Sequence, residues 1–155
     1  MRYYLAYGSN LNLEQMQYRC PGATLLGTAT IDDYELLFKG SKTGAYLTIE
    51  KRRGYAVPVA VWAVTPADEA ALDRYEGFPA FYYKRAFRLP YRGIKTGKTR
   101  MINAFAYIMD ERRKIAIPRN YYMETCLAGY DAFGFDRELL YMAYENSIKG
   151  VYGFE

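Results

Sequence analysis

Residues Arg2–Leu13 read RYYLAYGSNLNL, a segment that passes from a strand pattern through a small-residue turn into a helix start. Tyr3, Tyr4, Leu5, Ala6 and Tyr7 form a short apolar, aromatic run without helical period, which is the pattern of a buried strand because aromatic rings fit a pleated surface. Gly8, Ser9 and Asn10 end it. Glycine reaches backbone angles closed to other residues, and Ser and Asn side chains bond their own main chain. The turn is therefore expected to leave several N–H groups pointing one way, an arrangement that attracts anions. Asn12 followed by Gln15 resembles a capping box, which would place the positive end of a helix at the same spot. Spacing alone equally describes a plain strand-to-helix turn that binds nothing.

Beyond this segment, the first helix is expected to end near Cys20-Pro21-Gly22. Thr24 to Thr30 and Tyr34 to Phe38, separated by Asp32-Asp33, read as two paired strands. Ala45 to Lys51 alternates after Gly44, Gly54 supplies a turn, and Val57 to Val64 is a β-branched run suited to a central strand. Thr65-Pro66 then marks a helix start: Thr65 caps, Pro66 takes the first helical position, and Asp68 and Glu69 meet the positive end of the dipole. Gly77 and Pro79 end that helix and place Glu76 in its last turn. Tyr82 to Leu89 and Met101 to Met109 read as a hairpin around the charged Gly93-to-Lys98 tip. Pro118 opens a helix to about Ala128, Gly129 to Gly134 forms a break, and Asp136 caps a final helix to about Ser147.

With 155 residues and no linker or repeat, the chain is expected to fold as a single domain over residues 1–155. Strands outnumber helices without regular alternation, which favours α+β over a doubly wound sheet and leaves barrel and open sheet undecided. Although 51% of residues are hydrophobic, none of the runs has the length of a membrane span, and the N-terminus lacks the pattern of a signal peptide, so a cytoplasmic location and no membrane partner are expected. Cys20 and Cys126 lie far apart outside any CxxC pair, which suggests buried free thiols rather than a disulfide or zinc site. The absence of histidine removes the commonest metal ligand and the usual neutral-pH proton carrier. Acid–base chemistry then falls to a displaced carboxylate, Lys, Tyr or Cys. The net charge of +4 is spread over separate basic clusters that read as hairpin tips. Its 18 tyrosines beside those clusters would suit a nucleic-acid module, but the charge excess is small, and no nucleic-acid partner is expected.

Glu76 stands where a helix dipole disfavours a carboxylate, between Tyr75 and Phe78, a placement that raises a pKa. Asp73 and Arg74 read as solvated neighbours. On spacing alone Glu76 is also an exposed acid before a helix-ending glycine. Three motifs carry a resemblance: Tyr7-Gly8-Ser9-Asn10-Leu11, Leu72-Asp73-Arg74-Tyr75-Glu76-Gly77, and Pro118-Arg119-Asn120-Tyr121 followed by Cys126. Together they resemble the YGSNL, L-D-x-x-E-G and P-x-x-Y segments of the gamma-glutamylcyclotransferase family, which includes gamma-glutamylamine cyclotransferases and AIG2-like proteins.

The resemblance implies a small mixed β-barrel of about six or seven strands with flanking helices. It implies that Tyr7, Gly8, Ser9, Asn10 and Leu11 form a loop holding substrate, that Glu76 is the general acid–base, and that Tyr121 reaches the substrate. Tyr122 is an alternative to Tyr121, because one residue turns a helix face by about 100°. The implied reaction is intramolecular aminolysis of a gamma-glutamyl amino acid or amine to 5-oxoproline and the free amine, with no cofactor and no metal. Family members differ in leaving group, in acyl substrate and in having an activity at all. A non-catalytic binder of a small acidic metabolite and an acyltransferase-like member therefore stay open, as do monomer and homodimer.

Overall fold

The chain, described by a computed structural model at residues 1–41 and 43–153, is built from five strands and four helices within those residues. They are β1 (Arg2–Ala6), α1 (Leu13–Arg19), β2 (Thr24–Ser41), β3 (Gly44–Val64), α2 (Pro66–Glu76), β4 (Tyr82–Gly93), β5 (Thr99–Met109), α3 (Asn120–Phe133) and α4 (Glu138–Tyr152). The strands close into a barrel in the order β1-β3-β2-β4-β5. β1 runs parallel to β5, with Tyr4 opposite Phe105, and the other neighbouring pairs are antiparallel, so the barrel is mixed.

The strand count corrects the expectation of six or seven. Thr24–Thr30 and Tyr34–Phe38 are not partners of one another but two halves of β2, and both pair with β3. The strand bends at Asp33, which has a φ of 61°, where the register shifts between Asp32 and Tyr34. The two runs expected in the Gly44–Val64 region are likewise halves of β3, bent at Gly54 with a φ of 85°. The Gly54 N–H donates to Asp33 Oδ1 at 3.0 Å, so the two bends are fastened together. A bulge needs the same turn-forming residues as a hairpin, which is why the local sequence reads as a chain reversal.

The helix ends follow the capping chemistry. Asn12 Oδ1 accepts from the Gln15 N–H at 3.1 Å, starting α1. Thr65 and Asp68 form a reciprocal capping box at the start of α2, and Gly77, at φ 64°, ends it. α3 continues through Gly129 to Phe133 and stops at Gly134, correcting the break expected from Gly129 onward. Gly129 serves packing: a Cβ there would lie 2.6 Å from Leu11 Cβ and 2.7 Å from the Leu11 carbonyl carbon. Asp136 Oδ1 accepts from the Glu138 N–H at 3.0 Å, and α4 packs against β2.

Leu5, Leu47, Ile49, Val57, Val59, Val61 and Ile108 are buried in one core cluster with Phe38 and Tyr107. Each fully buried aliphatic side chain contributes about 1.5–3 kcal/mol. Cys20 and Cys126 are buried free thiols. Among the described residues, no helix is long and apolar enough to cross a membrane.

Candidate active site

A cavity of about 430 Å³ opens where β1 ends and β4 begins. One wall is the end of β1 and its turn, with Tyr4, Tyr7, Gly8, Ser9 and Asn10; the facing wall is the end of α2, with Arg74, Tyr75, Glu76 and Gly77. Thr43 just before β3, Tyr46 and Leu47 of β3, Phe81 just before β4, Tyr82 of β4, Tyr107 of β5 and Tyr122 of α3 line the rest. The first loop of the chain and the end of α2 therefore meet at one cavity.

The turn is a 3₁₀ turn over Ser9–Leu11, in which the Leu11 and Asn12 N–H groups donate to Gly8 and Ser9 carbonyls at 3.0 Å each. The N–H groups of Ser9 and Asn10 stay outside the turn's own hydrogen bonding. α1 starts one residue after Asn12, so the groups nearest the cavity are those of the 3₁₀ turn and not the positive end of α1. Gly8 has a φ of −125°, so what it supplies is space. A Cβ there would lie 3.3 Å from Tyr122 Oη and 3.6 Å from Leu47 Cβ. Leu11, expected against the substrate, is fully buried under Gly129 and absent from the lining.

Of the two tyrosines expected to reach the substrate as alternatives, Tyr121 stands apart from the cavity. It is 74% exposed, whereas Tyr122 lines the cavity, with its hydroxyl accepting from the Leu47 N–H at 3.0 Å and its ring edge-on to Tyr46 at 5.2 Å. Helix phase decides this: α3 packs its Met123 and Cys126 side toward the core, and Tyr122 follows that face while Tyr121 turns outward.

Glu76 forms no hydrogen bond to its carboxyl among the described residues, and burial pushes its pKa up from 4.5 to about 8, with the Arg19 guanidinium pulling the other way. The hydroxyls of Tyr4, Tyr7, Tyr82 and Tyr122 have pKa values well above the usual tyrosine range, chiefly through burial; the Glu76 charge adds to the rise in each. The carboxyl thus sits among neutral hydroxyls, with its pKa lifted out of the usual carboxylate range. Tyr7 donates to the Tyr107 carbonyl at 2.5 Å and Tyr82 to the Leu47 carbonyl at 2.7 Å, so the rings are held in place.

Sequence reading missed a second carboxylate. Asp73, taken as a solvated neighbour, accepts from the Tyr107 hydroxyl at 2.6 Å and pairs with Lys84 Nζ at 2.9 Å. Lys84 also pairs with Glu69, which pairs with Arg2, so this acid is tied into an ion-pair chain rather than left free beside Glu76. Arg74, likewise taken as solvated, lines the cavity. These contacts join residues 11 to 67 positions apart, and only the position of Asp73 within the Leu72–Gly77 motif could have drawn attention to it.

Barrel and cavity together define a small mixed-barrel protein with a carboxyl of raised pKa at the end of a helix. A family model described as gamma-glutamyl cyclotransferase, AIG2-like, matches residues 4–124, and the chain belongs to that family. A bovine (Bos taurus) gamma-glutamylcyclotransferase is 34% identical over 87 residues, which cover 52% of this chain. The match spans about half the length of that relative, 46%. A solved gamma-glutamyl cyclotransferase structure superposes with a TM-score of 0.75 at 26% identity, covering 92% of this chain and 85% of that one. The fold is shared more widely: YkqA from Bacillus subtilis superposes with a TM-score of 0.71 at 14% identity, covering 95% of this chain and 54% of that one.

Proposed function

We propose that the cavity cyclises a gamma-glutamyl amino acid or amine to 5-oxoproline. The observation that carries this reading is Glu76, a carboxyl at a helix end with no hydrogen bond among the described residues and a pKa raised to about 8, facing the turn that holds Gly8, Ser9 and Asn10. In the reaction, the α-amine nitrogen of the glutamyl group attacks its own side-chain amide carbonyl. A five-membered lactam closes, and the bond from that carbonyl to the departing nitrogen breaks. Ionised Glu76 takes a proton from the attacking nitrogen and returns it to the leaving nitrogen, so a single carboxyl serves both steps and no cofactor enters the balance.

The Ser9 and Asn10 N–H groups offer donors to an anion, either the glutamyl α-carboxylate or the oxyanion of the addition step. Holding amine and carbonyl in contact distance is worth roughly 7 kcal/mol or more in favourable intramolecular reactions, which suits a site with few charged groups. Incubating the protein with a panel of gamma-glutamyl amino acids and amines and assaying 5-oxoproline tests the reading. Release from at least one compound, rising toward pH 8, is expected. Saturable binding of such compounds without any 5-oxoproline would replace this reading with that of a binding protein.

A further inference from the structure

Arg19, in the last turn of α1, touches both walls of the cavity from behind without lining it. One guanidinium nitrogen donates to Asn10 Oδ1, the other lies 3.5 Å from Gln15 Oε1, and Cζ stands 3.4 Å from the centroid of the Tyr75 ring. A flat cation is attracted to the face of an aromatic ring, and the fixed fork of donors holds an orientation that an ammonium does not. Both neighbours pass the constraint on. Asn10 Nδ2 donates to Tyr4 Oη at 2.9 Å, and the Tyr75 hydroxyl shares a hydrogen bond with Ser9 Oγ at 3.0 Å. The Gly8–Asn10 turn is therefore tied twice to the residue preceding Glu76.

Charge points the same way. Glu76 is faced by Tyr4 from β1, Tyr7 just after it, Tyr82 from β4, Tyr107 from β5, Tyr122 from α3 and Tyr75 from its own helix, all neutral hydroxyls. Arg74 lines the cavity on the same helix, and among the described residues the cation whose field lowers the Glu76 carboxyl pKa is Arg19.

We propose that Arg19 is a positioning residue for the proton transfer: it clamps the turn to the end of α2 and supplies the positive field under which the Glu76 carboxylate forms. The proposal rests on the acid–base reading of Glu76, and its test separates the two. Carbon-13 NMR of protein labelled in its glutamate carboxyls, with Glu76→Gln assigning the signal, follows the titration without substrate. In Arg19→Gln the midpoint is expected to rise by about half a pH unit or more, and the rising limb of kcat/KM to move with it. Arg19→Lys should restore most of the midpoint but raise KM by about threefold or more, because the turn has lost its fork.

A folded Arg19→Gln protein with an unmoved midpoint overturns the proposal. Should that variant fail to fold, Arg19→Lys decides: a kept midpoint with a raised KM supports the clamp, and a wild-type KM overturns it. If the wild-type protein releases no 5-oxoproline while Arg19→Gln still shifts the titration, the field stands and the cyclisation reading falls.

Discussion

The Tyr122 hydroxyl oxygen lies 3.3 Å from the position a β-carbon would take on Gly8, so a helix from the far end of the chain closes directly over the first turn. That distance leaves room for at most a tightly fitting methyl. It also fixes which tyrosine of α3 belongs to the cavity, since the same hydroxyl accepts from Leu47 at 3.0 Å.

Replacing Gly8 should therefore act by volume. Alanine adds one methyl at ordinary contact distance from Leu47 and slightly tight against Tyr122, so Gly8→Ala is expected to fold and bind more weakly. Gly8→Val fills the mouth of the turn and should abolish binding while the barrel still melts cooperatively. Calorimetric titration with a gamma-glutamyl compound checks this, and unchanged affinity in Gly8→Val would place the substrate elsewhere.

The two adjacent tyrosines should separate cleanly. Tyr122→Phe leaves the Leu47 N–H without its acceptor, a loss of about 1 kcal/mol in stability, and removes a hydroxyl from the cavity, so KM should rise. Tyr121→Phe, at an exposed position, should match the wild type in both thermal unfolding and kinetics. The reverse ranking would show that α3 is rotated from the phase described.

Gly129 supports the site from outside it. Alanine at a mid-helix glycine ordinarily adds about 1 kcal/mol of helix stability. Here its β-carbon would stand 2.6–2.9 Å from Leu11 and the Asn12 nitrogen, where main-chain atoms have to move. Gly129→Ala is expected to destabilise by about 1–3 kcal/mol and to displace the turn. Denaturant titration gives the first effect, and a loss of binding larger than the loss of stability gives the second. A stabilised Gly129→Ala protein would contradict the packing described.

What the sequence discloses follows from how far each cause reaches along the chain. Asn12, Thr65, Asp68 and Gly77 act on their own turns, and the helix boundaries they set are legible without tertiary information. Asp33 and Gly54 carry ordinary turn chemistry, but whether a turn reverses the chain or bends one strand depends on the partner strand, which explains five strands in place of six or seven. Gly129 reads as a helix stop because the reason for it, Leu11, lies more than a hundred residues earlier. Glu76 was legible as a displaced acid because its helix end and aromatic neighbours are local. Asp73 was not, since its partners Tyr107 and Lys84 come from other strands. The motif fixes that a tyrosine follows Pro118, but the phase of α3 selects Tyr122.

Glu76→Gln joins stability to chemistry in one variant. A carboxyl whose pKa rises from 4.5 to about 8 on folding binds its proton more tightly in the native state, so its linkage runs opposite to that of a salt-bridged acid. Below about pH 4.5 it is protonated in both states and costs nothing. As pH rises toward 8 the unfolded chain ionises while the native one resists, and stability falls by at most about 1.4 kcal/mol per pH unit before levelling off. Glutamine never ionises. The variant should match the wild type near pH 4.5 and become progressively more stable than it toward pH 8, read as a widening difference in Tm. Turnover should move the other way, falling by roughly 10²- to 10⁴-fold for a lost general acid–base, with KM less affected. A stabilised protein that still releases 5-oxoproline at the wild-type rate would remove Glu76 from the mechanism. A destabilised one would mean that the carboxylate is held by a partner in the native state, contrary to its lack of a hydrogen bond among the described residues.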